Sequence, residues 1–339
     1  MKRANIFCYL CAVLALATVT AISATTIAPG VRTLVWAHNA FPDHGRYADR
    51  LDRALAAGMP LMIEEDLAWV DGKSWLIHGP KNSTGDDPTL ETYFFPKVRP
   101  IMEKALAEGN RGNWPLIILY LDIKNDPPEH LETIAKVLEK YDGWLTSAVK
   151  TADMSKQSPL DVKPMMVLLE DKHDDIKQQY FYDRIPAGGK LRAFGSATKY
   201  DNNLDKKLSK TEAIDGLYDT PLSTIVPKKA DDYRRWWGID WAYIEKGGET
   251  RAGEWSQAKA DRLKKYVDYG HSQGYFVGVF SISGWTPEQN QGWDKDYNFG
   301  TREAASLRWK GAIAAHADFI STDHYEELAS AVHSGRRSR

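Results

Sequence analysis

The chain has 339 residues, of which 43% are apolar and 27% charged, an ordinary globular composition. This composition excludes a disordered, a collagen-like and a disulfide-scaffold protein. The formal net charge is -2, so the chain lacks the bulk positive charge that would make nucleic acid its partner.

Residues 1–24 have the pattern of a secretory signal peptide. Two basic residues precede an apolar run at about residues 6–22, and the small residues Ser23 and Ala24 offer a cleavage site. The run also approaches the ~20 residues that a membrane span needs, so a retained anchor is the alternative. The cleavage site favours export, and we expect a secreted or periplasmic protein.

Both cysteines, Cys8 and Cys11, lie within this segment. The exported chain would therefore have no disulfide and no thiolate metal site. We expect one domain at residues 25–332, followed by a flexible basic tail at residues 333–339.

Eight short runs of mostly apolar residues are predicted as β-strands. They are Thr33–His38, Leu61–Asp66, Leu116–Ile123, Met165–Glu170, Leu191–Gly195, Trp236–Trp241, Tyr275–Ile282 and Phe319–Thr322. Amphipathic stretches with helical spacing separate most of them, and this alternation favours a parallel sheet. A single (β/α)8 TIM barrel is the simplest α/β architecture. A doubly wound open sheet is the alternative, although no glycine-rich fingerprint follows the first strand.

The functional residues of such a barrel lie at the carboxyl ends of its strands. The polar residues at or just beyond the first three predicted strand ends are His38, Asn39, Glu64, Asp66, His78, Asp122 and Lys124. A short polar hairpin around Asp71-Gly72 precedes His78. Alternation along a strand puts Glu64 and Asp66 on one face and Glu65 on the other.

Three carboxylates that converge on one mouth would repel each other unless a cation lay between them. We therefore expect Glu64, Asp66 and Asp122 to bind one divalent cation. Oxygen ligands select Mg²⁺ or Ca²⁺, and the amide oxygen of Asn39 could complete the set.

His38 and His78 flank these carboxylates in the predicted barrel. Two imidazoles can divide the work of general base and general acid near neutral pH, and Lys124 would bind an anionic oxygen. A metal, a lysine and two histidines suit in-line displacement at a phosphodiester.

The ordered set resembles the motif of the PLC-like phosphodiesterase superfamily. The matching positions are His38, Glu64-x-Asp66, His78 and Asp122-x-Lys124, with Thr322-Asp323 similar to the closing Thr-Asp of that group. The superfamily includes glycerophosphodiester phosphodiesterases, phosphatidylinositol-specific phospholipases C and sphingomyelinase D-like enzymes. The resemblance implies a TIM barrel, acid–base catalysis by the two histidines and a divalent metal on the three carboxylates.

The sequence departs from each branch of this superfamily. Glycerophosphodiesterases usually have Arg after the first His, whereas Asn39 is more similar to phospholipases C. The segment around Asp122 and Lys124 resembles the sphingomyelinase D-like branch, but the C-terminal Asn-Pro-Trp of that branch is missing. The implied substrate is a phospholipid or a glycerophosphodiester, with transient contact to a membrane surface.

Two other functions are compatible with a secreted, aromatic-rich barrel. A glycoside hydrolase would use Glu64, Glu65 or Glu170 as acid and nucleophile, and would need neither the histidine pair nor Lys124. The other alternative is a barrel that binds a lipid or a sugar without catalysis. The aromatic residues that could edge a pocket, or fill the core instead, are Trp75, Phe94, Phe95, Trp285 and Trp293.

Overall fold

The computed structural model describes residues 27–43, 47–170, 172, 174–197, 208–289, 292–293 and 295–337. The predicted signal peptide lies outside these residues. Within the described ranges, none of the helices combines the length and the apolar character that a membrane crossing requires.

Among the described residues, eight parallel strands close into a barrel. They are β1 (Leu34–Ala37), β2 (Leu61–Val70), β3 (Ile117–Ile123), β4 (Met165–Leu169), β5 (Ala193–Ser196), β6 (Arg234–Asp240), β7 (Phe276–Phe280) and β8 (Phe319–Thr322). The strands pair in chain order, and β1 pairs with both β2 and β8, which closes the sheet. The predicted single (β/α)8 barrel is confirmed, and all eight predicted strands correspond to barrel strands.

Helices cover the outside of the barrel. In the described ranges they are α1 (Arg50–Ala57), α2 (Phe95–Glu108), α3 (Pro128–Lys140), α4 (Asp174–Gln178), α5 (Lys210–Asp219), α6 (Leu222–Ile225), α7 (Gln257–Ser272), α8 (Arg302–Ala314) and α9 (Tyr325–Arg337). Gly109 ends α2 in the left-handed conformation, with φ of 65°, which glycine adopts without steric cost.

Three large aromatic side chains fill the barrel below its carboxyl end. The ring centroid of Trp36 lies 4.9 Å from that of Tyr120 and 5.9 Å from that of Trp236. These residues come from β1, β3 and β6, so their contacts cross the barrel interior. They form an aromatic floor. His38 and Asp122 lie two positions after Trp36 and Tyr120 in the chain, on the side of the mouth.

A hairpin extends the barrel at β2. Beyond Asp66 the strand continues to Val70 and pairs antiparallel with a short strand at Lys73–Leu76. The two turn residues, Asp71 and Gly72, both have positive φ, of 50° and 79°, as a tight two-residue hairpin requires. The predicted hairpin is therefore present, and it returns the chain to the mouth just before His78.

The bounds of several elements differ from the predicted ones. Lys190 and Leu191 pair with an outer strand at Ser147–Val149, so β5 begins only at Ala193 rather than at Leu191. The backbone of residues 333–337 continues α9, and residues 338–339 of the predicted tail lie outside the described residues. In this last part of α9 the Ser334 hydroxyl donates to the Ser330 carbonyl, one turn earlier, at 2.8 Å.

Candidate active site

Three carboxylates converge at the carboxyl end of β2 and β3. The parallel register places Asp66 opposite Asp122, and Glu64 lies two residues earlier on the same face of β2. One oxygen from each of the three side chains lies within 4.8 Å of the others. Glu65 is not part of this group, although it is also buried. The sequence therefore predicted the convergence of these side chains correctly.

The electrostatics of this group fit a bound cation. Burial raises the pKa of Glu64 well above its ordinary value, and the charges of Asp66 and Asp122 raise it further. Among the described residues, Glu64 Oε2 and Asp122 Oδ1 are buried without a hydrogen-bond partner. Unpartnered carboxylate oxygens in close array are the donors that Mg²⁺ or Ca²⁺ takes.

Lys124 is joined to two of the carboxylates. Its Nζ lies 2.7 Å from Asp122 Oδ2 and 2.9 Å from Asp66 Oδ2. Burial lowers the pKa of Lys124, but the two carboxylates outweigh burial and hold it above its ordinary value. Although burial raises the pKa of Asp122, the positive charges of Lys124 and Lys172 bring it below its ordinary value. Lys124 is thus a fixed positive charge in the mouth.

His38 is buried and held by a carboxylate from the last strand end. Its Nδ1 lies 3.1 Å from Asp323 Oδ1, and Arg50 Nη1 donates to the same oxygen at 2.7 Å. Burial raises the pKa of Asp323, but Arg50 and His38 outweigh it and keep that pKa far below the ordinary value. An ionised carboxylate only accepts hydrogen bonds, so Nδ1 of His38 carries a proton. Nε2 is then the nitrogen that can exchange a proton with substrate.

The backbone of His38 is fixed as firmly as its ring. Its carbonyl accepts hydrogen bonds from Arg50 Nη1 at 2.9 Å and from the Tyr325 hydroxyl at 2.6 Å. The sequence did not reveal these two residues as part of the site. No local sequence pattern distinguishes a buried arginine at the start of an amphipathic helix from an exposed one.

His78 occupies a more open position, with its side chain 43% exposed. Its Nε2 lies 3.8 Å from Asp66 Oδ2. Partial burial and the nearby charge of Lys124 lower the pKa of His78 to about 4. At neutral pH this imidazole is therefore uncharged and able to accept a proton.

The amide of Asn39 lies between Asp66 and Trp293. With its amide oriented to satisfy both neighbours, Nδ2 donates to Asp66 Oδ1 at 3.2 Å and the oxygen accepts from Trp293 Nε1 at 3.1 Å. The amide oxygen is therefore engaged by the indole and does not face the carboxylates. In this orientation Asn39 supports Asp66 by a hydrogen bond. Its role as a metal ligand stays a prediction.

The aromatic residues that the sequence offered as possible pocket residues divide between the core and the site. Phe94, Phe95, Trp75 and Trp285 are buried in the core. Trp293 is partly exposed, and its ring centroid lies 5.5 Å from that of His78.

The carboxylates proposed for a glycoside hydrolase are dispersed. Glu170 forms an ion pair with the buried Lys177. Glu65 is separated by strand alternation from the face that carries Glu64. This arrangement does not favour an acid and nucleophile pair drawn from Glu65 or Glu170.

Comparisons with known proteins give resemblance in fold only. No family model and no curated protein matches the sequence. A glycerophosphoryl diester phosphodiesterase from Parabacteroides distasonis ATCC 8503 is 14% identical, with 92% of this chain and 90% of that chain covered and a TM-score of 0.40. A Plasmodium falciparum HPPK-DHPS triple mutant with pteroate is 12% identical, with 91% and 49% covered and a TM-score of 0.48. What the barrel does must therefore be inferred from the residues at its own mouth.

Proposed function

We propose that this chain is a metal-dependent phosphoric diester hydrolase acting on a phospholipid or a glycerophosphodiester. The observation that carries the proposal is the convergence of three carboxylates, one lysine and two differently held histidines at one barrel mouth. Each of these groups has a distinct part in phosphodiester cleavage, and a glycosidase would need neither the lysine nor the histidines.

Glu64, Asp66 and Asp122 would hold one Mg²⁺ or Ca²⁺. The unpartnered oxygens of Glu64 and Asp122 and the raised pKa of Glu64 support this assignment. The bound cation would supply Lewis-acid stabilisation of negative phosphoryl oxygens. The positive charge of Lys124 would bind an anionic oxygen of the same phosphoryl group.

The two histidines are suited to opposite proton transfers. His78, neutral at pH 7, would accept the proton of the attacking hydroxyl or water as a new P–O bond forms. His38, with Nδ1–H held by Asp323, would carry a second proton on Nε2 at the start of the reaction and would donate that proton to the leaving alkoxide as the ester P–O bond breaks. After the step His78 holds one more proton and His38 one fewer, so His78 releases a proton and His38 takes one up before the next turnover.

The test is a panel of phosphodiesters assayed with Mg²⁺, with Ca²⁺ and with EDTA. The panel contains a phospholipid in vesicles, a glycerophosphodiester and bis(4-nitrophenyl) phosphate, with products identified by phosphorus NMR. We expect cleavage with a divalent cation, loss in chelator and recovery on adding metal back. Undiminished cleavage in EDTA, or cleavage of glycosides but not of any phosphodiester, would refute the proposal.

Export through residues 1–24, with transient contact to a membrane surface, is part of the same proposal. The basic and apolar pattern of this segment and the small residues at positions 23 and 24 support it. Expression of the full chain, followed by N-terminal sequencing of protein recovered outside the cytoplasm, tests the cleavage site. A product that starts at Met1 and stays with the membrane fraction would favour the retained anchor.

A further inference from the structure

Trp293, in the loop between β7 and α8, contacts His78 directly and is linked to His38 through Asp323. Its ring centroid lies 5.5 Å from that of His78, and its backbone N–H donates to Asp323 Oδ2 at 3.1 Å. Asp323 is the carboxylate that holds His38. We propose that Trp293 is a positioning residue, which holds His38, His78 and Asn39 in register with the three carboxylates. The catalytic part of this inference rests on the proposed function.

The first connection runs through the indole nitrogen. Because an indole N–H can only donate, we assign the Asn39 amide with its oxygen 3.1 Å from Trp293 Nε1 and its nitrogen 3.2 Å from Asp66 Oδ1. Asn39 adopts a φ of 48°, a backbone conformation that few residues other than glycine use. Without the indole N–H, the amide of Asn39 is free to turn its oxygen towards Asp66. The indole therefore controls which way a neighbour of the predicted metal site faces.

The second connection runs through the backbone. Asp323 Oδ2 accepts from the Trp293 N–H and from the Ser283 hydroxyl, both at 3.1 Å. Its other oxygen accepts from Arg50 and lies against His38 Nδ1. Four donors thus fix the plane of this carboxylate, and the plane of the carboxylate sets the direction of the His38 ring.

Packing around the indole ring of Trp293 holds the loop that carries it in place. Its centroid lies 5.0 Å from those of Phe41 and Tyr47, and the Arg50 guanidinium lies 5.4 Å from the ring. His78 contacts the indole ring of Trp293, whereas Asp323 accepts a hydrogen bond from its backbone N–H. Loss of the ring anchor would therefore remove the contact with His78 and also release the backbone N–H that holds Asp323.

The preceding residue confines the backbone further. A Cβ on Gly292 would lie 1.8 Å from Trp285 Nε1, so any other residue would push the segment away from its present position. The Gly292 carbonyl accepts from the Tyr47 hydroxyl at 3.0 Å. A substitution at Gly292 thus displaces Trp293 while leaving its side chain intact.

Three variants separate the two connections. Trp293→Phe keeps a packed ring and removes only the Nε1 hydrogen bond. Trp293→Ala removes the ring anchor as well, and Gly292→Ala moves the segment with the indole still present. Trp69 supplies the matched control, because its ring stacks on His130, which is not one of the predicted site residues, with 5.5 Å between the ring centroids. It can be changed to Phe and to Ala. Gly143→Ala is the glycine control, since a Cβ at Gly143 would meet no atom within 4 Å beyond its chain neighbours.

Three measurements report on position rather than on folding. The first is calorimetric titration of Mg²⁺ into the metal-free protein. The second is the nitrogen-15 NMR signal of the His38 Nδ1–H in the metal-free protein. The third is the separate determination of kcat and KM on bis(4-nitrophenyl) phosphate with Mg²⁺.

We expect Trp293→Phe to weaken Mg²⁺ binding and to lower kcat, each about tenfold, with KM within about twofold and the His38 signal unchanged. Trp293→Ala and Gly292→Ala should also shift or broaden the His38 signal and lower kcat by about 100-fold. The variants of Trp69 and Gly143 should match the wild type in all three measurements.

The inference would be overturned if both Trp293 variants kept the wild-type magnesium affinity, the wild-type His38 signal and the wild-type kcat. A lower melting temperature without change in metal affinity or in the His38 signal would also overturn it, because it would assign Trp293 a purely structural role. If the wild type cleaves no phosphodiester, the proposed function fails. The metal and NMR measurements would still decide whether Trp293 positions these groups.

Discussion

His38 Nδ1 and Asp323 Oδ1 lie 3.1 Å apart although 285 positions separate the two residues in the chain. The contact exists because β8 pairs with β1 and closes the barrel, with Thr322 opposite Ala37. The next residue on each strand then enters the same mouth. The seam of the barrel is thus also the place where the predicted catalytic histidine receives its partner.

Removal of either histidine should abolish most of the turnover. We expect His38→Ala and His78→Ala each to lower kcat by ~10²–10⁴ while the fold persists, because each removes one of two proton transfers. Initial rates on bis(4-nitrophenyl) phosphate with Mg²⁺ check this, with far-ultraviolet circular dichroism as the folding control. A variant with nearly wild-type kcat would exclude that histidine from the reaction.

The metal site should distinguish adjacent carboxylates of β2. We expect Asp66→Asn to weaken Mg²⁺ or Ca²⁺ binding and activity together, because it removes one of three converging oxygen donors. Glu65→Gln should leave the metal in place, because strand alternation separates Glu65 from that group. Calorimetric titration of both metal-free variants is the measurement. Loss of binding in the Glu65 variant together with normal binding in the Asp66 variant would reverse the assignment.

The buried charge of Arg50 should make Asp323 a stability residue as well. We expect Asp323→Asn to lower the free energy of unfolding by about 3 kcal/mol, because it leaves a buried guanidinium without its counter-ion. The matched control is Glu326→Gln, which breaks an exposed pair with Arg53 and should cost less than about 1 kcal/mol. Urea unfolding of both variants at pH 7 gives the comparison. Equal losses of unfolding free energy in the two variants would contradict the interpretation that the buried Arg50–Asp323 pair stabilises the fold more than an exposed pair does.

His130 should make the fold sensitive to mild acid. Burial lowers its pKa to about 4, and its ring bridges the Ser74 hydroxyl at 2.8 Å and the Asn125 carbonyl at 2.7 Å. Since the folded state holds this imidazole neutral, the unfolded state binds more protons below its ordinary pKa of ~6.5. Its contribution to stability is thus intact above pH ~6.5 and falls by up to ~3 kcal/mol as the pH drops towards 4.

Urea unfolding between pH 7.5 and pH 4.5 measures this effect in the wild type and in His130→Gln. The variant should show a flatter dependence on pH, whereas the exposed His333→Gln should follow the wild type. If His130→Gln kept the wild-type dependence of the unfolding free energy on pH, His130 would not be the source of the acid sensitivity.

The sequence by itself determined the barrel and most of the predicted site. Continuous apolar runs indicate strands buried on both faces, and period-two alternation placed Glu64 and Asp66 together and Glu65 apart. These are local patterns, because they depend only on which face of one strand a side chain occupies. Asp122 and Lys124 could be added because parallel strands bring their carboxyl ends to one edge.

Only the tertiary structure decided how these groups are held. The partners of His38 are Asp323 and Arg50, and neither contact follows from spacing along the chain. The orientation of the Asn39 amide depends on the indole of Trp293, which arrives from a loop near the other end of the sequence. Hydrogen-bond direction and charge pairing are set by atoms that barrel closure brings together, whereas periodicity records only burial. The sequence therefore specifies which residues reach the mouth, and the closed barrel specifies which of them bind one another.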